Sequence, residues 1–353
     1  MGSGPPANCG GCPRRSAGTH RLGGPPGLRP RRSCPGWTRG PRTARWYCTR
    51  WPERYPGGVS TAARRALADL ALLAVAVVWG TTFPLAKRIL EVLPPFWYLT
   101  VRFAVASGVL LPVAWRQLGR AAREDWARSA GVGLALTAGY ALQTLGLQGS
   151  GATDAAFLTG LFVVLVPLLG ALWGRRPGPW EWVGVLAGTA GLALLTGGPA
   201  GLGGPELLLV VCAGSFAVHI LLLDAVAPRL PVASLGGVQM LVAAAGSAAF
   251  AATEPVPVNV PGEVWFAVVG MGVLASAAAF TVQSWAQRFT SPTHVGLVFT
   301  AEPVSAALLA RWWLGETLSP SQWTGAGLIL VGIVLAQFRA GPVGTAVQGA
   351  AGR

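Results

Sequence analysis

The chain has 353 residues, 52% of them hydrophobic and 11% charged, with a mean hydropathy of +0.51. A soluble domain of this length does not need that much apolar surface, so the composition excludes an ordinary water-soluble protein and predicts a membrane-embedded one. The formal charge of +14 does not point to nucleic acid: 13 Arg against one acid, Glu53, fall in residues 1–65, and the remainder balances 14 basic with 12 acidic residues.

Residues 1–65 are rich in Pro, Gly and Arg and show no apolar period, so they lack the surface to offset the entropy of ordering and are expected to be disordered. Cys9, Cys12, Cys34 and Cys48 with His20 do not have finger-like spacing, and no metal or other cofactor is expected. No apolar stretch of a secretory signal precedes Val59. One Lys against 26 Arg indicates a GC-rich coding sequence, in which upstream frames stay open. Val59 is therefore a candidate start, and translation of residues 1–58 is left open. Cys212, alone in an apolar segment, reads as a small packing residue.

About twenty apolar residues cross a bilayer core. Ten such segments follow the tail, at 68–90, 95–115, 129–148, 152–173, 180–198, 205–225, 232–252, 262–285, 293–314 and 320–338. Their separators are short and rich in Gly, Pro or Arg, leaving no room for a soluble domain. Basic loops stay in the cytoplasm. With the N-terminus inside, the inner loops and flanks carry Arg64, Arg65, Arg116, Arg120, Arg123, Arg128, Arg175, Arg176, Arg229, Arg288 and Arg339, whereas the outer ones carry Lys87 and Arg88, with Arg311 nearby. Both termini are expected in the cytoplasm of a multi-pass plasma-membrane protein.

The two halves resemble each other. Residues 152–173 lie over 292–313 at an offset of 140, matching Thr153 with Thr293 and Trp173 with Trp313. At 141, "WVG" (182–184) matches "WTG" (323–325) and Gly191 matches Gly332; at 137, Arg102 falls on Gln239. Five spans per unit is an odd number, so the second unit is inverted relative to the first, an architecture of many secondary transporters. The expected fold is an all-α integral membrane protein of ten transmembrane helices in two inverted five-helix repeats, 66–200 and 204–340, with a short C-terminal tail, 341–353.

"WGTTFPLAKRIL", "RFAVASGVLL", "LGLQGSGATDAAFLTGLFVVLVPLL" and "FTAEPVSAALLARWWLGETLSPSQWTGAGLILVGIVL", in this order, resemble the EamA type of the drug/metabolite transporter superfamily over about 66–340. The resemblance implies two inverted EamA units, a central cavity open to one side at a time, and export of metabolites, amino acids or drugs. The second unit fits better: where it has Glu302-Pro303, the first has Phe162-Val163.

Glu302 lies about nine residues from the inner end of its span and twelve from the outer, where an ionised side chain facing lipid costs at least about 2.5 kcal/mol. Two readings stand: a cavity carboxylate for a proton or a cationic substrate, or a hydrogen-bonded Glu that braces the kink at Pro303. Arg102, about six residues below the outer surface, is a candidate for recognising a substrate carboxylate or for a structural tie to backbone carbonyls. Trp79, Thr81 and Thr82 either line a cavity shaped by a bend at Pro84 or pack between helices with the hydroxyls bonded to their own backbone. Tyr140 with Gln143, and Ser215 with His219, share helix faces. His219 reads as a proton shuttle or as a hydrogen-bonded packing residue. Gln239, Ser276, Gln283 and Thr300 are further polar candidates.

No zincin or nucleophile-elbow motif supports an enzyme, and no ATP-binding motif is present. The leading expectation is a non-enzymatic, secondary-active exporter of a small molecule, with a proton or the substrate's own gradient as the drive. A proton-independent facilitator, or an intramembrane structural or enzymatic protein, is the alternative; substrate, coupling ion, direction and oligomeric state are not encoded legibly. A chain starting at Val59 is expected to insert with both ends cytoplasmic, since the body carries its own inward Arg residues; reporter fusions at the two ends check this, and an inverted or uninserted product refutes it.

Overall fold

The computed structural model describes residues 37–39, 46–48, 61–118, 123–175, 177–197, 203–314 and 318–337. The chain divides into two compact units, Met1–Gly58 and Val59–Arg353. In the first, β1 (Trp37–Arg39) and β2 (Trp46–Cys48) pair antiparallel, with Trp37 opposite Cys48. Cys9, Cys12, Cys34 and His20 lie outside the described residues, as do most of the tail, Arg120, Arg176, Arg339 and residues 341–353. Among the described residues no cluster of His, Cys, Asp or Glu could hold a metal ion.

In the second unit all regular elements among the described residues are helices. Its elements are α1 (Thr61–Gly80), α2 (Thr82–Ile89), α3 (Pro95–Leu118), α4 (Arg123–Gly149), α5 (Ala152–Gly160), α6 (Phe162–Leu172), α7 (Pro179–Thr196), α8 (Gly204–Val226), α9 (Val232–Ala251), α10 (Gly262–Gly270), a π-helical segment (Met271–Ala278), α11 (Ala279–Ala286), α12 (Pro292–Phe299), α13 (Ala301–Leu314) and α14 (Pro320–Gln337). Among the described residues seven helices are long and apolar enough to cross a membrane: Ala63–Ile89, Pro95–Trp115, Arg123–Gly149, Asp154–Leu172, Gly204–Val226, Val232–Ala251 and Gly262–Ala286. The first turn of α7 holds Trp180, Glu181 and Trp182, which lowers its apolar content.

Two of the breaks follow from proline. The ring of Pro84 clashes with the carbonyl four residues back and removes a hydrogen bond, and the helix is interrupted at Thr81, three residues before it. Pro303 interrupts the chain at Thr300 in the same way. Where hydropathy places the third span at 129, α4 starts at Arg123. Its extra turns are polar and carry Arg128 pairs to Glu124 and Asp125, which a criterion for apolar spans passes over.

α7 packs along α14, α3 along α9 and α4 along α8. Lipid supplies no hydrophobic drive between helices, so close backbone approach is what holds them. At the α7–α14 crossing the backbones nearly touch: a Cβ on Gly191 would lie 2.6 Å from the Gly325 carbonyl oxygen, and one on Gly325 would lie 2.5 Å from that of Gly191. Gly184 and Gly332 face each other likewise, at 2.7 and 2.8 Å.

The bundle has one Arg-rich end, with Arg64, Arg65, Arg123, Arg128, Arg175, Arg229 and Arg288, and an opposite end with α2 and the C-terminus of α4. Polar ties cluster at the Arg-rich end. Arg175 pairs with Asp224, Arg288 donates to the Leu230 carbonyl, and Ser291 donates to Glu181. His294 Nε2 lies 3.1 Å from Asp69 Oδ1, and Gln287 donates to the Ile220 carbonyl at 2.9 Å. At the opposite end Lys87 Nζ donates to the carbonyls of Leu147, Gln148 and Ser150 at 2.7, 3.1 and 2.8 Å, capping α4. Glu254 caps α3 there by accepting from the N–H groups of Phe96 and Trp97.

Gly325→Ala is expected to destabilise the fold by about 1–3 kcal/mol through overpacking against α7. Gly327→Ala, two residues along on an open face, is expected to be neutral or slightly stabilising. Thermal unfolding of the two purified variants checks the contrast, and equal midpoints refute it.

Candidate functional site

Between the helices lies a cavity of about 460 Å³, counting the part open to solvent. Trp79 and Thr82 reach it from α1 and α2, Tyr140 and Gln143 from α4, Thr159 and Phe162 from α5 and α6, and Phe216, His219 and Ile220 from α8. Phe280 and Gln283 of α11, Phe299 of α12 and Glu302 of α13 complete the wall. Thr82, Gln143 and Glu302 are half-buried, while Tyr140, His219, Gln283 and Phe299 are buried. The open side therefore lies toward the end that carries α2 and the C-terminus of α4.

Among the described residues Glu302 is the only charged side chain on this wall. The one-residue break at Thr300 lies two residues before it, placing the carboxylate in the first turn of α13. No side chain of the described residues donates to it. Arg102 stands behind Tyr140, 2% exposed. Its Nε donates to Ser276 Oγ at 2.8 Å and its terminal nitrogens to the phenolic oxygens of Tyr98 at 2.8 Å and Tyr140 at 3.3 Å. It also lies 4.8 Å from the Tyr140 ring centroid, so its charge is spread over hydroxyl dipoles and ring faces. Of the two roles the sequence offered Arg102, a substrate contact or a tie to backbone carbonyls, the side chain here makes neither: it stands off the cavity wall and is tied to hydroxyls.

The π-helical segment supports both sides of this arrangement. Ser276 holds Arg102, and the carbonyl of the preceding residue, Ala275, accepts from Trp79 Nε1 at 2.8 Å. π-helical turns often occur at functional sites. The indole ring then rests against Phe280 and Phe299, with centroids 5.1 and 4.8 Å away. Tyr140 meets Phe216 edge-on at 5.3 Å, and these rings make a nearly continuous aromatic wall.

Of the residues expected from sequence, Trp79, Thr82, Tyr140, Gln143, His219 and Glu302 come together on the cavity, and the weaker candidate Gln283 joins them. Thr81 is exposed, and both Thr81 and Thr82 hydroxyls donate to their own helix, at Val78 and Trp79. Ser215 donates to the Val211 carbonyl and does not reach the wall. Thr300, fully buried, donates to Leu297. Gln239 sits behind His219, its Oε1 accepting from His219 Nε2 at 3.0 Å while its Nε2 donates to Ser284 Oγ. Pro84 and Pro303 each stand three residues after a helix break.

Sequence reasoning missed Thr159, Phe162, Phe216, Ile220, Phe280 and Phe299. The repeat held the missing signal: Phe162 had already been matched to Glu302, and both face the cavity. His294, buried against Asp69 with Nδ1 unpartnered, was also passed over.

A transporter of Archaeoglobus fulgidus is 30% identical over 289 residues, covering 80% of this chain and 89% of that protein. The inner membrane transporter YedA of Escherichia coli K12 is 28% identical over 276 residues, 75% of this chain and 89% of its own. One protein of known crystal structure superposes with a TM-score of 0.64 at 24% identity, over 77% of this chain and 97% of that one, and so shares the fold. The EamA-like transporter family matches residues 66–197 and again 204–338. The chain belongs to the EamA-like transporter family.

Proposed function

We propose that the chain is a secondary-active exporter of a small molecule, working by alternating access between two inverted five-helix repeats, 66–200 and 204–340. The first repeat comprises α1–α2, α3, α4, α5–α6 and α7, and the second comprises α8, α9, α10–α11 with the π-helical segment, α12–α13 and α14. The composition of the cavity wall carries the proposal. Twelve of the thirteen lining residues form six pairs: Trp79 with Phe216 and Thr82 with His219 lie 137 positions apart. Tyr140 with Phe280, Gln143 with Gln283, Thr159 with Phe299 and Phe162 with Glu302 lie 140 apart. These are the offsets at which the two halves align.

A two-fold relation makes contacts reciprocal. Trp79 on Phe280 is answered by Phe216 on Tyr140, and Gly184 on Gly332 by Gly325 on Gly191. α3 meets its counterpart α9, and α7 its counterpart α14. The two successive family matches also support a duplicated unit.

With the Arg-rich end in the cytoplasm, this conformation faces outward. Three ties then join the repeats across the closed inner end: Arg175 to Asp224, Asp69 to His294 and Glu181 to Ser291. Export requires them to part so that the cavity opens inward, and a proton at Glu302 or the substrate's own gradient drives the cycle.

Glu302→Gln keeps size and hydrogen bonding but removes the titratable charge. A coupling or substrate carboxylate predicts an inserted protein whose transport is largely lost or no longer pH-dependent in proteoliposome counterflow; normal, pH-dependent transport refutes that role. A structural Glu would instead leave transport by Gln near normal, with Glu302→Ala folding poorly.

The inner ties make a separate prediction. Replacing both Asp69 and Asp224 with Asn is expected to raise the inward-open population by up to about fivefold for each tie worth about 1 kcal/mol. A Ser284→Cys reporter, buried here, in a chain lacking the tail and Cys212, should then react faster with an impermeant maleimide from the cytoplasmic side. An unchanged rate refutes the gating role.

A further inference from the structure

We propose that the cavity selects a monovalent organic cation carried on a flat apolar body, with its charge held at Glu302 and its body against the rings of Trp79, Phe216, Phe280 and Phe299. This substrate class rests on the transporter reading above and deepens it.

Charge placement carries the inference. Among the described residues Glu302 is the one charged group on the wall, and its carboxylate receives no hydrogen bond from any of them. A neutral solute would bring no counter-charge to that carboxylate, which feels Arg102 only at a distance and sits half-buried, and this is costly. An anion would meet it head-on. The group best suited to an anion, Arg102, is withdrawn: it is 2% exposed, screened from the cavity by Tyr140, and committed to Ser276, Tyr98 and Tyr140. His219 gives one ring nitrogen to Gln239 at 3.0 Å. A zwitterion would satisfy Glu302, but its carboxylate would find no cationic partner on the wall, only the amides of Gln143 and Gln283 and the hydroxyls of Thr82 and Thr159.

The rest of the wall suits a cation. Six of the thirteen lining residues are Trp, Tyr or Phe, and aromatic faces attract positive charge while burying apolar area. The space, about 460 Å³ with its open side, lies within the range of small-molecule sites. Gln283 Oε1 is buried without a partner, so its carbonyl dipole adds a second negative group to the wall beside the carboxylate.

The test uses the full chain and four probes sharing one phenylethyl body: trimethyl(phenethyl)ammonium, phenylalanine, 3-phenylpropanoate and 2-phenylethanol. Binding is measured in detergent by competition against the radiolabelled cation, and transport by counterflow in proteoliposomes. The quaternary cation should bind at least tenfold more tightly than the other three. Glu302→Gln should weaken it at least tenfold, Glu302→Asp less, and Trp79→Leu should weaken the cation more than the alcohol. Monodispersity and unfolding midpoints report whether each variant folds; should Glu302→Gln not fold, the Asp and Trp79 variants decide. The proposal is overturned by absence of saturable cation binding, by tighter binding of the zwitterion, anion or alcohol, or by a folded Gln variant with full cation affinity. Counterflow of phenylalanine or 3-phenylpropanoate instead overturns the cation assignment and leaves the transporter reading standing. Glu302-dependent cation binding with no counterflow would do the reverse.

Discussion

A polar atom in hydrocarbon finds no water, so each one must be satisfied by the protein itself. Many buried polar side chains of the bundle follow this rule. Ser107, Thr137, Thr189 and Ser284 each return a hydroxyl proton to the carbonyl one turn earlier in their own helix. Gln287 crosses to the Ile220 carbonyl, and Arg102 is solvated by three hydroxyls where no water reaches it. The exceptions include two groups on the cavity: Gln283 Oε1 has no partner among the described residues, and no side chain of the described residues donates a hydrogen bond to Glu302. Unpaired groups that converge on one space are what a polar ligand or water is needed to complete.

The same rule explains why one Lys persists among 26 Arg. Lys87 meets three carbonyls at the end of α4, all within 3.1 Å of one atom. An ammonium offers three donors around a point, whereas a guanidinium offers a planar fork suited to paired acceptors. Arg102 shows the converse, with three nitrogens each directed at a different hydroxyl. Neither cation lines the cavity, so both serve the frame around the site.

Much of the fold could be read from the sequence because hydropathy reports directly on the solvent. Where the helix leaves the bilayer the signal stops, which is why the polar turns of α4 before 129 were not anticipated. The depth of Glu302 ruled out lipid but left a cavity carboxylate and a hydrogen-bonded brace at Pro303 both open, because depth says nothing of which neighbours the helix crossings supply. The partners of Arg102 were not, because Tyr98, Tyr140 and Ser276 come together only through the crossing of α3, α4 and the π-helical segment. Phe216, Phe280 and Phe299 look like packing residues in any single helix. Only their common offset from Trp79, Tyr140 and Thr159 separates them from dozens of similar apolar positions.

In the inverted-repeat reading, frame and site obey opposite demands. Two conformations that exchange inside for outside are of similar energy only if the halves are built alike, and the reciprocal glycine contacts of α7 with α14 fit that demand. A site that holds one charge cannot be alike in both halves, since a second carboxylate at Phe162 would place two like charges across one small cavity. The chain keeps the backbone positions equivalent and lets the side chains differ, Glu302 against Phe162 and His219 against Thr82. In that reading, binding polarity rests on residues the frame does not depend on.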